Sequence, residues 1–90
     1  MNSPHYRILF KKSTEKELRT ISVADLKRIF KKIESLKSHP RPEGVILLKG
    51  EERFYRVRQG DYRIIYEVRE SVHEILIIKI GHRREVYKGY

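Results

Sequence analysis

The sequence predicts an α+β domain in the order β-α-α-β-β-β-β, with two N-terminal helices packed on one face of a twisted, mainly antiparallel sheet. Three observations carry that prediction. Leu26, Ile29, Phe30, Ile33 and Leu36 recur at helical spacing. Pro40 and Pro42 then end that periodicity, since each disfavours helical geometry in the residue before it and lacks its own N–H. From Val45 onward, short β-rich runs alternate with turn residues. The apolar helical stripe must be buried, and a sheet face supplies the surface.

Each element follows in turn. Tyr6 to Phe10 is short and bulky between polar flanks and predicts a first strand. Thr14 with Glu17 three residues later has the form of a capping box, which predicts a first helix. Ser22 followed by Asp25 offers a second N-cap with an acidic residue in the first turn, where the helix dipole favours it. The second helix is expected to bury Leu26, Ile29, Phe30, Ile33 and Leu36 and to leave Lys27, Arg28, Lys31, Lys32 and Glu34 outside. Strands are expected at Val45 to Leu48, Phe54 to Arg58, Tyr62 to Val68 and Glu74 to Ile80. The last is apolar on both faces and predicts a central strand. Turns at Gln59-Gly60-Asp61 and Arg69 to His73 make the final three strands an antiparallel meander.

Composition narrows the function. Ninety residues with 39% hydrophobic and 37% charged side chains suit one domain over residues 1–90. No run approaches the ~18 apolar residues of a membrane span, and Met1 to Phe10 lacks a secretory apolar region, so a cytoplasmic location without a membrane partner is expected. There is no cysteine, and His5, His39, His73 and His82 are widely scattered, so neither a metal nor another cofactor is expected. The 21 Lys and Arg against 12 Asp and Glu give a formal charge of +9, which favours a nucleic-acid, ribosomal or acidic-protein partner.

The chemistry-bearing residues cluster in the second half. Arg56 and Arg58 alternate along one strand and share a face. A two-residue turn at either Gln59-Gly60 or Gly60-Asp61 sets Arg63 opposite Arg56 or Arg58, on that same face. A three-residue loop without a bulge would send it to the other side. Like charges placed cross-strand destabilise a sheet, so the cluster asks for a compensating partner. Either phosphate or a carboxylate from Glu67, Glu51 or Glu52 could provide it. Arginine suits forked contacts to phosphate and cannot shuttle protons at neutral pH, which points to charge stabilisation. Beyond the last strand, His82 and Tyr87 are the nearest groups able to exchange a proton. An exposed loop histidine and a tyrosine covering the sheet edge are the plainer readings of the two. Tyr62 and Tyr66 share a face with Ile64 and read as core.

The run Phe54-Tyr55-Arg56-Val57-Arg58-Gln59-Gly60-Asp61-Tyr62-Arg63-Ile64-Ile65-Tyr66, with Ile80-Gly81-His82-Arg83-Arg84-Glu85-Val86-Tyr87, resembles the RelE/ParE toxin superfamily. Leu48-Lys49-Gly50 is similar to the family's L-x-G segment, and the likeness spans nearly the whole chain. The Arg-Arg-Glu-Val-Tyr ending favours the RelE branch of type II toxin–antitoxin systems, whose members are mRNA interferases. The resemblance implies a ribosome-dependent endoribonuclease that cuts mRNA in the A site without a metal and so inhibits translation. Its implied partners are the ribosome with its rRNA, mRNA and a cognate antitoxin. Poisoning of DNA gyrase, as in the ParE branch, and a non-catalytic antitoxin-binding regulator are the alternatives. Carried over by position, the resemblance marks Arg56, Arg58, Arg63, Arg83 and Tyr87 as catalytic, with His82 in second rank. Relatives often carry lysine where Arg56 stands, and the change moves proton transfer toward Tyr87 or His82.

Overall fold

The computed structural model describes residues 5–48 and 53–83. Strand β1 (Arg7–Phe10) leads into helices α1 (Thr14–Arg19) and α2 (Val23–Ser35), followed by β2 (Ile46–Leu47), β3 (Phe54–Gln59), β4 (Tyr62–Arg69) and β5 (Glu74–His82). The five strands form one sheet in the order β1-β5-β4-β3-β2. β1 runs parallel to β5, and the remaining pairs are antiparallel. The meander of β3, β4 and β5 and the interior position of β5 agree with the sequence reading.

Ile29, Ile33 and Leu36 pack with Val57, Ile64, Tyr66, Val68, Ile75, Ile77 and Ile80 into one core between the helices and the sheet. Tyr66 is fully buried, with its hydroxyl donating to the Pro40 carbonyl at 2.7 Å. Phe30 departs from the expected core. It is 43% exposed, in edge contact with Phe10 at 6.2 Å between ring centroids. One residue turns a helix by about 100°, so Phe30 sits a quarter turn round from Ile29 and overhangs the contact.

The helix N-termini differ. Ser22 caps α2 as expected, its Oγ accepting from the Asp25 N–H at 3.2 Å. The Thr14–Glu17 capping box does not form. Ser13 holds the N-cap position of α1, Thr14 is buried and donates to the Lys11 carbonyl, and Glu17 reaches the sheet instead. Its carboxylate accepts from the Ile80 N–H at 2.9 Å and from Lys79 at 3.2 Å. β1 pairs with β5 only as far as Ile77, so Glu17 serves backbone that has no neighbouring strand there.

β5 carries a register shift. Ile65 pairs with Lys79 while Tyr66 pairs with Ile77, leaving Ile78 as an extra residue. Strict alternation would set Ile80 on the face opposite Ile75 and Ile77. The bulge returns Ile80 to the helix side, opposite Ile64, and everything after it changes face as well.

Candidate active site

The β3–β4 hairpin turns on Gly60 and Asp61, with Gln59 and Tyr62 as the closing pair. Gly60 has φ +61° and Asp61 is not in the positive region, the pattern of a type II′ turn, whose twist suits a two-residue hairpin. Arg58 therefore lies directly opposite Arg63, and Arg56 follows two residues along the same face, away from the helices. Arg83 joins them at the end of β5, where its backbone N–H donates to the Asp61 carbonyl at 2.8 Å. Burial, and then the neighbouring charges of Arg56, Arg58 and Arg83, push the Arg63 guanidinium below the ordinary arginine range, with Asp61 opposing them. The four cations thus act on one point of the sheet surface.

Glu67, expected among the possible neutralising groups, lies on the same face but serves other arginines. It is 6% exposed and bridges Arg53 and Arg69, each at 3.1 Å. Glu51, Glu52 and Tyr87 lie outside the described residues. The bulge carries His82 to the helix side, opposite Tyr62, and the two rings meet edge to face at 5.8 Å. His82 lines a separate cleft of about 550 Å³ with Lys16, Glu17 and Lys79. The structure thus brings Arg56, Arg58, Arg63 and Arg83 together and sets His82 apart from them.

A cleft of about 350 Å³ opens at the arginines. β2 pairs with Tyr55 and Arg56, and the cleft wraps the edge of β3 beyond Arg56. Lys32 from α2 and Glu43 with Gly44 from the α2–β2 connection line it together with Arg56, Arg58 and Arg63. Neither Lys32 nor Glu43 stands out in the sequence, because their nearness to the hairpin arises only when α2 docks on the sheet. Forked guanidinium donors around a recess of this size can hold a phosphodiester and stabilise extra negative charge on it. Among the described residues, no group of three or more His, Asp or Glu side chains could hold a metal ion, and no helix is long and apolar enough to cross a membrane.

Comparison with known proteins agrees with this architecture. A family model described as ParE toxin of type II toxin–antitoxin system, parDE, matches residues 5–87. A candidate toxin of Methanocaldococcus jannaschii, RelE1, is 35% identical over 88 residues, covering 94% of this chain and 91% of its own. RelE in the archaeal RelE–RelB complex of Pyrococcus horikoshii superposes with a TM-score of 0.79 at 32% identity, over 90% of this chain and 98% of that one. The isolated Escherichia coli RelE toxin gives a TM-score of 0.77 at 26% identity, over 92% of both chains.

Proposed function

This chain belongs to the RelE/ParE toxin superfamily as a RelE-like toxin, and from that premise we propose that it is a ribosome-dependent endoribonuclease cleaving mRNA in the A site. The observation that carries the reading is the register of Arg58 against Arg63 with Arg56 and Arg83 beside them. Cleavage is by attack of an RNA 2′-hydroxyl on the adjacent phosphodiester, which builds negative charge on the phosphorus oxygens. Arg56, Arg58, Arg63 and Arg83 stabilise that charge as fixed donors, at no cost of reorganisation when the reaction occurs. Tyr87, assigned by the resemblance alone, orients the nucleotide. The ribosome holds the message in a reactive geometry that charge donors alone do not impose, so naked RNA is cut poorly. Its activity is held in check by a cognate antitoxin, a role supported by the RelB chains bound to the RelE toxins of Pyrococcus horikoshii and Methanococcus jannaschii. The +9 charge suits that partner as well as rRNA.

Toe-printing on translating ribosomes, run beside a gyrase supercoiling assay, tests the proposal. Cleavage at the A-site codon with supercoiling unaffected is the expected result. Blocked supercoiling with intact message would transfer the assignment to a ParE-like gyrase poison, the branch named by the matching family model. Neither effect would leave a non-catalytic, antitoxin-binding regulator.

A further inference from the structure

The arginine cleft contains one group whose charge is wrong for a site that only binds phosphate. Glu43 lines it alongside Arg56, Arg58, Arg63 and Lys32. A carboxylate there repels the phosphodiester that the cations attract, which costs affinity unless the group contributes to the reaction. Its backbone is fixed. The Val45 N–H donates to the Pro42 carbonyl at 3.1 Å, closing a turn with Glu43 and Gly44 at its centre. Gly44 has φ +87°, the value the third position of a type II turn requires. Glu43 is therefore presented to the cleft from a defined turn beside β3.

Among the described residues, the other proton acceptors near the hairpin are engaged or turned elsewhere. Glu67 is bound between Arg53 and Arg69. Asp61 faces a different cleft, with Asp25, Arg28 and Tyr62. His82 lies across the sheet beside Tyr62. The guanidiniums cannot accept a proton, and a tyrosine with its ordinary pKa near 10 is a weak candidate at neutral pH.

We propose that Glu43 is the general base of the cleft. Its carboxylate takes the proton of the substrate 2′-hydroxyl as the 2′-oxygen bonds to phosphorus and the bond from phosphorus to the 5′-oxygen breaks. The departing 5′-oxygen takes a proton from water, the products are a 2′,3′-cyclic phosphate and a 5′-hydroxyl, and Glu43 later returns its proton to solvent. Lys32 from α2, Arg56 and Arg58 from β3 and Arg63 from β4 are the charged groups that share the cleft with it. The assignment rests on the endoribonuclease reading above.

Single-turnover cleavage on programmed ribosomes, measured across pH, tests it. Glu43→Gln is expected to lower the rate by about 10²-fold or more and to leave a residual rate rising about tenfold per pH unit, as hydroxide replaces the lost base. Glu43→Asp keeps a carboxylate and should restore the parent's shallower pH dependence at a reduced rate. Melting temperatures of both variants should match the parent, since Glu43 is exposed. Parental or faster cleavage by Glu43→Gln with tighter ribosome binding would overturn the proposal and make Glu43 a counter-charge to the arginines. The loss appearing in Asp61→Asn instead would overturn it too. Both results leave the endoribonuclease reading standing, whereas a parent chain that cleaves no message removes both.

Discussion

The sheet face away from the helices carries arginines at both ends, and the two ends treat them differently. At the end formed by the start of β3 and the β4–β5 connection, carboxylates stand between cations. Glu67 bridges Arg53 and Arg69, and Glu74 pairs with Arg7 and Arg69. At the hairpin end, Arg58 faces Arg63 across the strands and Arg83 adds to the repulsion. The first arrangement is a structural ion-pair network. The second sets like charges against each other, an arrangement that suits a polyanion, as the proposed function requires. Residue type alone does not distinguish the two ends of this surface, whereas what stands opposite each arginine does.

The largest expected effect falls at the hairpin end. Arg63→Ala should slow the cleavage step on saturating programmed ribosomes by roughly 10²-fold or more, in line with losing one preorganised charge donor. Its melting temperature should equal or exceed the parent's, because the substitution removes like-charge repulsion. At the opposite end, Glu67→Gln should do the reverse. It removes the carboxylate that Arg53 and Arg69 share, leaving Arg69 its longer contact to Glu74, and should cost about 1–2 kcal/mol of stability, a value reduced by the exposure of the arginines. Chemical denaturation would show that loss while the cleavage rate holds.

Smaller effects sharpen the boundary of the site. Tyr87→Phe should slow cleavage by about 3- to 10-fold, the worth of one orienting hydrogen bond. His82→Ala should change the rate less, since His82 packs against Tyr62 across the sheet. Cleavage at the parental rate by Tyr87→Phe, with a loss in His82→Ala, would move the site to the helix side. The smallest effect concerns a clasp at the structural end, where Glu70 accepts from the Tyr6 hydroxyl at 2.6 Å and from Arg41. Those two hydrogen bonds hold the Glu70 carboxyl below its ordinary range, the bond from Tyr6 contributing most. A depressed carboxylate adds stability above its unfolded value of about 4.3 and loses it as pH falls through the native value. Thermal melts of Glu70→Gln should therefore lie slightly below the parent at pH 7 and converge with it in acid.

Much of this was legible in the sequence where the determining interactions are local. Either two-residue turn at Gly60 sets Arg56, Arg58 and Arg63 on one face by parity, a three-residue loop would not, and the structure selects Gly60-Asp61; α2 follows from a periodic stripe and Ser22. What escaped depends on distant chain segments. Thr14 and Glu17 have capping-box spacing, yet Glu17 finds its partner at Ile80. His82 is adjacent to the tail motif, but one extra residue at Ile78 turns it to the other face. Phe30 belongs to the stripe and still overhangs the core, because the helix contact is narrower than its apolar face. Glu43 meets the arginines only through the docking of α2 and the turn that follows it.

The contrast between the two ends is tested most directly by measuring cleavage rate and melting temperature together for Arg63→Ala and Arg69→Ala. The structure predicts opposite outcomes for the same substitution. Arg63→Ala should lose cleavage and keep or gain stability, while Arg69→Ala should lose stability and keep cleavage. Equal cleavage by Arg63→Ala and the parent, or a loss of cleavage confined to Arg69→Ala, would contradict the assignment of the hairpin arginines to the phosphodiester.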